Sequence, residues 1–95
     1  MLPNSEAIDR AVAGFPAALG AKVRERRKAA KFSEDDLARM LSLTAKLSLS
    51  GRDIAALEAG KIKNPDIRLL TALMFVLELS VDQLLVSGLS DKPGR

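Results

Sequence analysis

The chain contains no cysteine, histidine, tyrosine or tryptophan in its 95 residues. Without cysteine it has neither disulfides nor thiolate metal sites, and a cytoplasmic location is the expectation. Without histidine it lacks the commonest general base and metal ligand, which removes most hydrolytic and zinc chemistry. An enzyme is therefore not expected, and neither is a metal or any other cofactor. Three phenylalanines are the only aromatics, too few for a surface that stacks the bases of single-stranded nucleic acid. No run approaches 18 consecutive apolar residues, so no membrane association is expected. The first residues lack the basic start and apolar centre of a secretion signal. Repeats and hairpin signals are also missing, which leaves an all-α domain with one modest core.

What the chain does have is positive charge in a telling place. The net charge is +3 and the pI about 9.6, a lean towards a polyanionic partner. Lys22, Arg24, Arg26, Arg27, Lys28 and Lys31 stand against a single carboxylate, Glu25. A second, looser set is Arg52, Lys61, Lys63 and Arg68.

Caps and apolar spacing divide the chain into helices. Residues 1–15 read as an arm or a short helix, with Ile8 and Val12 on one face and Gly14-Phe15-Pro16 as its end. The next helix is expected from Pro16, a residue tolerated at a first helical position, to Ala30. Leu19, Val23 and Arg27 share its face, and Lys31-Phe32 closes it, with Phe32 as an anchor into the core. Ser33 caps a second helix whose apolar side is Leu37, Met40 and Leu41. Asp35 and Asp36 stand in its first turn, where the helix dipole favours them. Residues 42–46 either extend this helix or make an excursion. Ser50 caps a third, short helix with Asp53 as capping-box partner, Ile54 and Leu57 pointing inward and Gly60 as a left-handed stop. Asn64-Pro65 reads as the start of a fourth helix running to about residue 77. Ser80, with Gln83, opens a fifth that Gly88 ends, and residues 89–95 read as a disordered tail.

A second helix that braces on the DNA backbone and a third that enters the major groove would make a helix-turn-helix. The residues that carry this pattern are Leu19-Gly20, Val23-Arg24, Arg27, Ser33, Leu37-Ala38, Leu47-Ser48-Leu49-Ser50, Ile54, Leu57-Glu58, Gly60-Lys61, Asn64-Pro65, Leu70, Leu73, Leu77, Val81 and Leu84-Leu85. In that order they resemble the Cro/phage-repressor (XRE) helix-turn-helix family, over about residues 19–85. The resemblance implies a five-helix lambda-repressor-like DNA-binding domain, here residues 16–88, with a short extra N-terminal helix. It implies that Arg27 and Glu58 form a structural ion pair tying the first domain helix to the third, and that Ser33 meets a phosphate.

Several residues depart from the family pattern. Glu34, Asp35 and Asp36 put three carboxylates beside the Ser33 phosphate position. The third helix presents Gly51, Arg52, Asp53, Ala55, Ala56 and Ala59 outward. Of these only Arg52 is able to grip guanine with two hydrogen bonds, while alanine methyls touch thymine methyls. The candidate base contacts are therefore Arg52, Gly51, Asp53, Ala55 and Ala56. The candidate phosphate contacts are Ser33, Lys46, Ser50, Lys61 and Lys63, with Lys22, Arg24 and Lys28 in reserve. The step from Leu41 to Ser50 exceeds the usual turn of about 3–4 residues, which makes the connection between helices two and three a long one.

The fourth helix is apolar well past one stripe. With Leu70, Leu73, Met74 and Leu77 as its inner face, Leu69, Ala72, Phe75, Val76 and Leu79 are left over. Such a surplus marks a partner surface, and a second copy is the expected partner because two half-sites lie about 34 Å apart on DNA; the alternative cover is the N-terminal segment of the same chain, through Ile8, Val12 and Phe15. The chain thus reads as a sequence-specific, double-stranded-DNA-binding transcriptional regulator, expected to be a repressor and a homodimer. The alternative is an antitoxin-like or adaptor module that uses the apolar surface to bind another protein.

Overall fold

A computed structural model describes residues 5–80. They form four helices, α1 Ser5–Ala29, α2 Glu34–Ala45, α3 Gly51–Glu58 and α4 Ile67–Leu77, with no strand among the described residues. None of these helices is long and apolar enough to cross a membrane. The expected fifth helix and the tail lie outside the described residues.

The core takes side chains from every helix. Leu19 and Val23 come from α1, Leu37 and Leu41 from α2, Ile54 and Leu57 from α3, and Leu73 from α4, all fully buried. Each contributes about 1.5–3 kcal/mol by leaving water. α3 packs against α1 on one side and α2 on the other, while α4 packs mainly against α2 and touches α1.

The sequence placed a helix break at residues 14–16, and the structure has none. Pro16 lies inside one continuous α1. A helix-interior proline costs one backbone hydrogen bond, that to the carbonyl of residue 12. Val12 stands on an exposed turn, where water can take up that carbonyl. Phe15 meanwhile packs against the core, and this holds the turn in place. Phe32 is half-buried and sits outside the core cluster. What anchors there is its carbonyl, as described below.

Both serine caps form full capping boxes. The Ser33 hydroxyl accepts the Asp36 N–H at 3.0 Å, and Asp36 Oδ2 accepts the Ser33 N–H at 3.1 Å. Ser50 and Asp53 repeat the pattern at 3.4 and 2.8 Å. Of the two paths open for residues 42–46, the chain takes the helical one. α2 continues to Ala45 and stops where Lys46 turns left-handed at φ 56°, and the Leu47 N–H closes back on the Ser42 carbonyl at 3.1 Å. The Ser42 hydroxyl then accepts the Leu49 N–H at 3.0 Å, which ties the connection to the helix it left. α3 ends as expected at Gly60, φ 75°, with the Lys61 N–H on the Ala56 carbonyl at 3.0 Å.

α4 differs from expectation at its start and in its rotation. Its cap is Asp66, whose carboxylate accepts the Arg68 N–H at 2.7 Å, so Asn64-Pro65 belongs to the bend before it. Its buried residues are Leu69, Ala72, Leu73 and Leu77, with Leu79 beyond them; Leu70 and Met74 are only half-buried. Leu69, Ala72 and Leu79 are therefore core residues of the single chain and no surplus for a dimer. The cause is that α4 is flanked by α1 and α2 at once, which buries more than the about 100° stripe of a one-sided helix.

Candidate nucleic-acid interface

The site begins with the joint that sets the attitude of α3. Arg27 and Glu58 meet through two parallel hydrogen bonds, Nε to Oε2 at 2.6 Å and Nη2 to Oε1 at 3.1 Å. The remaining Nη1 donates to the Phe32 carbonyl at 2.9 Å. Both side chains are close to fully buried, at 10% and 6% exposure. The hydrogen bonds to Glu58 push the Arg27 guanidinium above its ordinary value against the opposing effect of burial, so it stays charged. About two turns earlier, Gly20 lies bare-faced against the end of α3. A Cβ there would collide with the Leu57 carbonyl and stand 2.7 Å from that of Glu58. α1 and α3 thus approach backbone to backbone at one point and are bolted by charge at the next.

On the outer side of α3, Arg52, Asp53 and Ala59 are exposed, while Ala55 and Ala56 are half-buried. Gly51 is not an open position: its missing Cβ would collide with the Asp35 carboxylate. Gly51 is half-buried and marks the point where the starts of α2 and α3 come together.

Lys61 and Lys63 follow the Gly60 stop and are exposed, as is Lys46 at the end of α2. Ser33 and Ser50 are in a different situation. Each hydroxyl is engaged by its own capping box, and each serine N–H is taken by a carboxylate. The bonds from the Ser33 N–H and hydroxyl hold the Asp36 carboxyl below its usual range. Asp35 reaches the Gly51 position from the start of α2, and Asp53 follows Arg52 in α3, so two carboxylates stand at the start of α3.

The basic face of α1 is partly spent. Arg27 belongs to the joint, Lys22 pairs with Glu25 at 3.3 Å, and half-buried Arg26 reaches towards the Leu77 carbonyl at 3.5 Å. Arg24, Lys28 and Lys31 remain exposed. The dimer positions of the sequence reading reduce to exposed Phe75 and half-buried Val76. The sequence reading missed three features here: the Gly20 contact, the Asp35–Gly51 contact and the Ser42 tie. The signal for the first two was a glycine next to a helix landmark, Leu19 in one case and the Ser50 cap in the other. No metal-binding group of acidic side chains exists among the described residues.

In comparisons with known proteins, no family model, no curated protein and no solved structure matches the chain.

Proposed function

We propose that this chain is a double-stranded-DNA-binding transcriptional regulator of the Cro/phage-repressor kind, working as a homodimeric cytoplasmic repressor. In this reading α2 and α3 are the helix-turn-helix pair and α3 enters the major groove. The observation that carries it is the Arg27–Glu58 joint, which holds a short, capped helix from behind and leaves Arg52 exposed at its start. Lys61 and Lys63 then follow as phosphate contacts, with Lys46 beyond them, and bound protein blocks polymerase. Ser33 and Ser50 contribute less, because their capping boxes already use the groups a phosphate would need.

Binding of the full chain to a random duplex pool tests the reading. Selection should return a shared sequence with two half-sites. Arg52→Ala should then lose about 1–3 kcal/mol of discrimination at one base pair while keeping most non-specific affinity. Equal loss on all sequences would make Arg52 a phosphate contact instead. A second reading, an antitoxin-like or adaptor module that binds protein, draws support from the Asp35 and Asp53 carboxylates at the start of α3 and from the exposed Phe75. A salt titration separates the two, since phosphate contacts make affinity fall steeply with salt. No binding to duplex at low salt would remove the first reading.

A further inference from the structure

Two apolar stripes in this chain face solvent. The first is on the N-terminal part of α1, where Ile8 and Val12 lie one turn apart and both are at least half exposed. On a helical wheel Asp9 borders this stripe and Arg10 stands on the opposite side. The second is on α4, where Ile67 and Phe75 are about three-quarters exposed and Thr71 lies between them at helical spacing. This second stripe forms one wall of a groove of about 460 Å³ whose other wall is the end of α2, at Thr44 and Lys46. Among the described residues, Arg68 and Lys46 are the charged ones that line it, and no carboxylate does.

We propose that the N-terminal arm of α1 from a second copy of this chain occupies the groove, the two copies exchanging arms about a two-fold axis. The lengths agree: residues 5–13 span about 12 Å of helix, as do residues 67–75. The charges agree too, because Asp9 on the arm faces a rim whose charged groups, among the described residues, are Lys46 and Arg68. One chain does not satisfy itself, since all four apolar residues stay exposed in the folded monomer. Exchange makes each chain give an arm and a groove at once. It therefore doubles the area that a single helix buries, towards the roughly 800 Å² per partner of a stable interface. The contact is isologous, each arm meeting the other copy's groove about the two-fold axis, so it stops at two copies. This inference deepens the two-copy part of the proposed function, and its test needs no nucleic acid. Failed exchange would leave DNA binding standing, and failed DNA binding would leave exchange standing.

The chain has no cysteine, so introduced thiols report without background. Full-length Val12→Cys and Phe75→Cys chains, mixed under mild oxidation, should cross-link to each other far faster than either does to itself. In sedimentation equilibrium, Val12→Glu and Phe75→Glu should each weaken self-association by about tenfold or more, with unchanged helicity by circular dichroism. A parent chain that stays monomeric at roughly 100 µM would overturn the proposal. So would a dimer indifferent to Val12→Glu, or Phe75→Cys chains that cross-link mainly to each other, since both place α4 against α4.

Discussion

The α1–α3 seam and the α2–α4 seam are built on opposite plans. The first is closed: Gly20 lets α1 reach the last turn of α3, and the paired Arg27 and Glu58 leave no buried polar atom without a partner. The second is open: Leu41, Ala72 and Leu73 pack inside, but Ile67 and Phe75 face water along a groove edged by Lys46 and Arg68. A directional, charged contact fixes an angle, because its energy falls quickly when the geometry drifts. An apolar contact fixes an area and tolerates sliding. The chain uses the first kind to fix α3 against α1 and leaves the second kind with an exposed apolar edge beside α2.

The largest test of that contrast is Glu58→Ala. It leaves a nearly buried guanidinium with only the Phe32 carbonyl, and urea unfolding should show a loss of about 3–5 kcal/mol. That is a large share of the about 5–15 kcal/mol available to a domain. Replacing both partners together, Arg27→Met with Glu58→Leu, should recover most of the loss, because hydrophobic replacement of a buried pair is often neutral. If the double variant kept full stability and the same α3 geometry by NMR, the joint would owe its rigidity to packing alone, and the contrast between the seams would fall.

Gly20→Ala should come next, at about 1–3 kcal/mol. Alanine gains up to about 1 kcal/mol in intrinsic helix propensity over glycine. Its methyl, however, meets two backbone carbonyls, which cannot rotate aside as a side chain would. Thermal unfolding decides the sign. A stabilised variant would mean that α3 shifts freely on α1, contrary to a closed seam.

The parts of this fold that were legible in the sequence are those written in local chemistry. Ser33 with Asp36, Ser50 with Asp53, and Gly60 each act within a few residues of themselves, and each stands where its side chain or its lack of one demands. The stops of α1 near Lys31 and of α4 near residue 77 were legible as well, whereas the stop of α2 stayed open because its left-handed residue is Lys46 and not a glycine. Pro16 misled in the opposite sense: its local preference to end a helix yields to Phe15 and Leu19, which are held from outside the helix. The rotation of α4 depends on having two neighbours, and a list of apolar positions does not say how many there are. In the candidate site, Arg27 with Glu58 was legible through the family resemblance. The Asp35–Gly51 contact joins two helix starts, and its one local trace is the glycine beside the Ser50 cap, which does not say what it meets.

The smallest expected effect concerns acid, and it bears on the open seam through the start of α2. Asp36 accepts the Ser33 N–H and is itself bonded through the Ser33 cap, and these bonds lower its proton affinity in the folded chain. A carboxyl depressed by folding contributes stability that is fully present above its unfolded value, about 3.9. That contribution is lost as pH falls through the lower, folded value. At neutral pH the cap is therefore complete, and it should persist to below about pH 4 before α2 frays from Ser33. A carboxyl-carbon NMR titration should place the Asp36 midpoint below that of an unstructured aspartate. In Asp36→Asn the acid limb of the stability curve should be flatter, because one proton-linked contribution has been removed. An unshifted Asp36 midpoint would show the capping box to be too loose to order α2. The wall of the groove formed by Thr44 and Lys46 would then depend on its apolar packing alone.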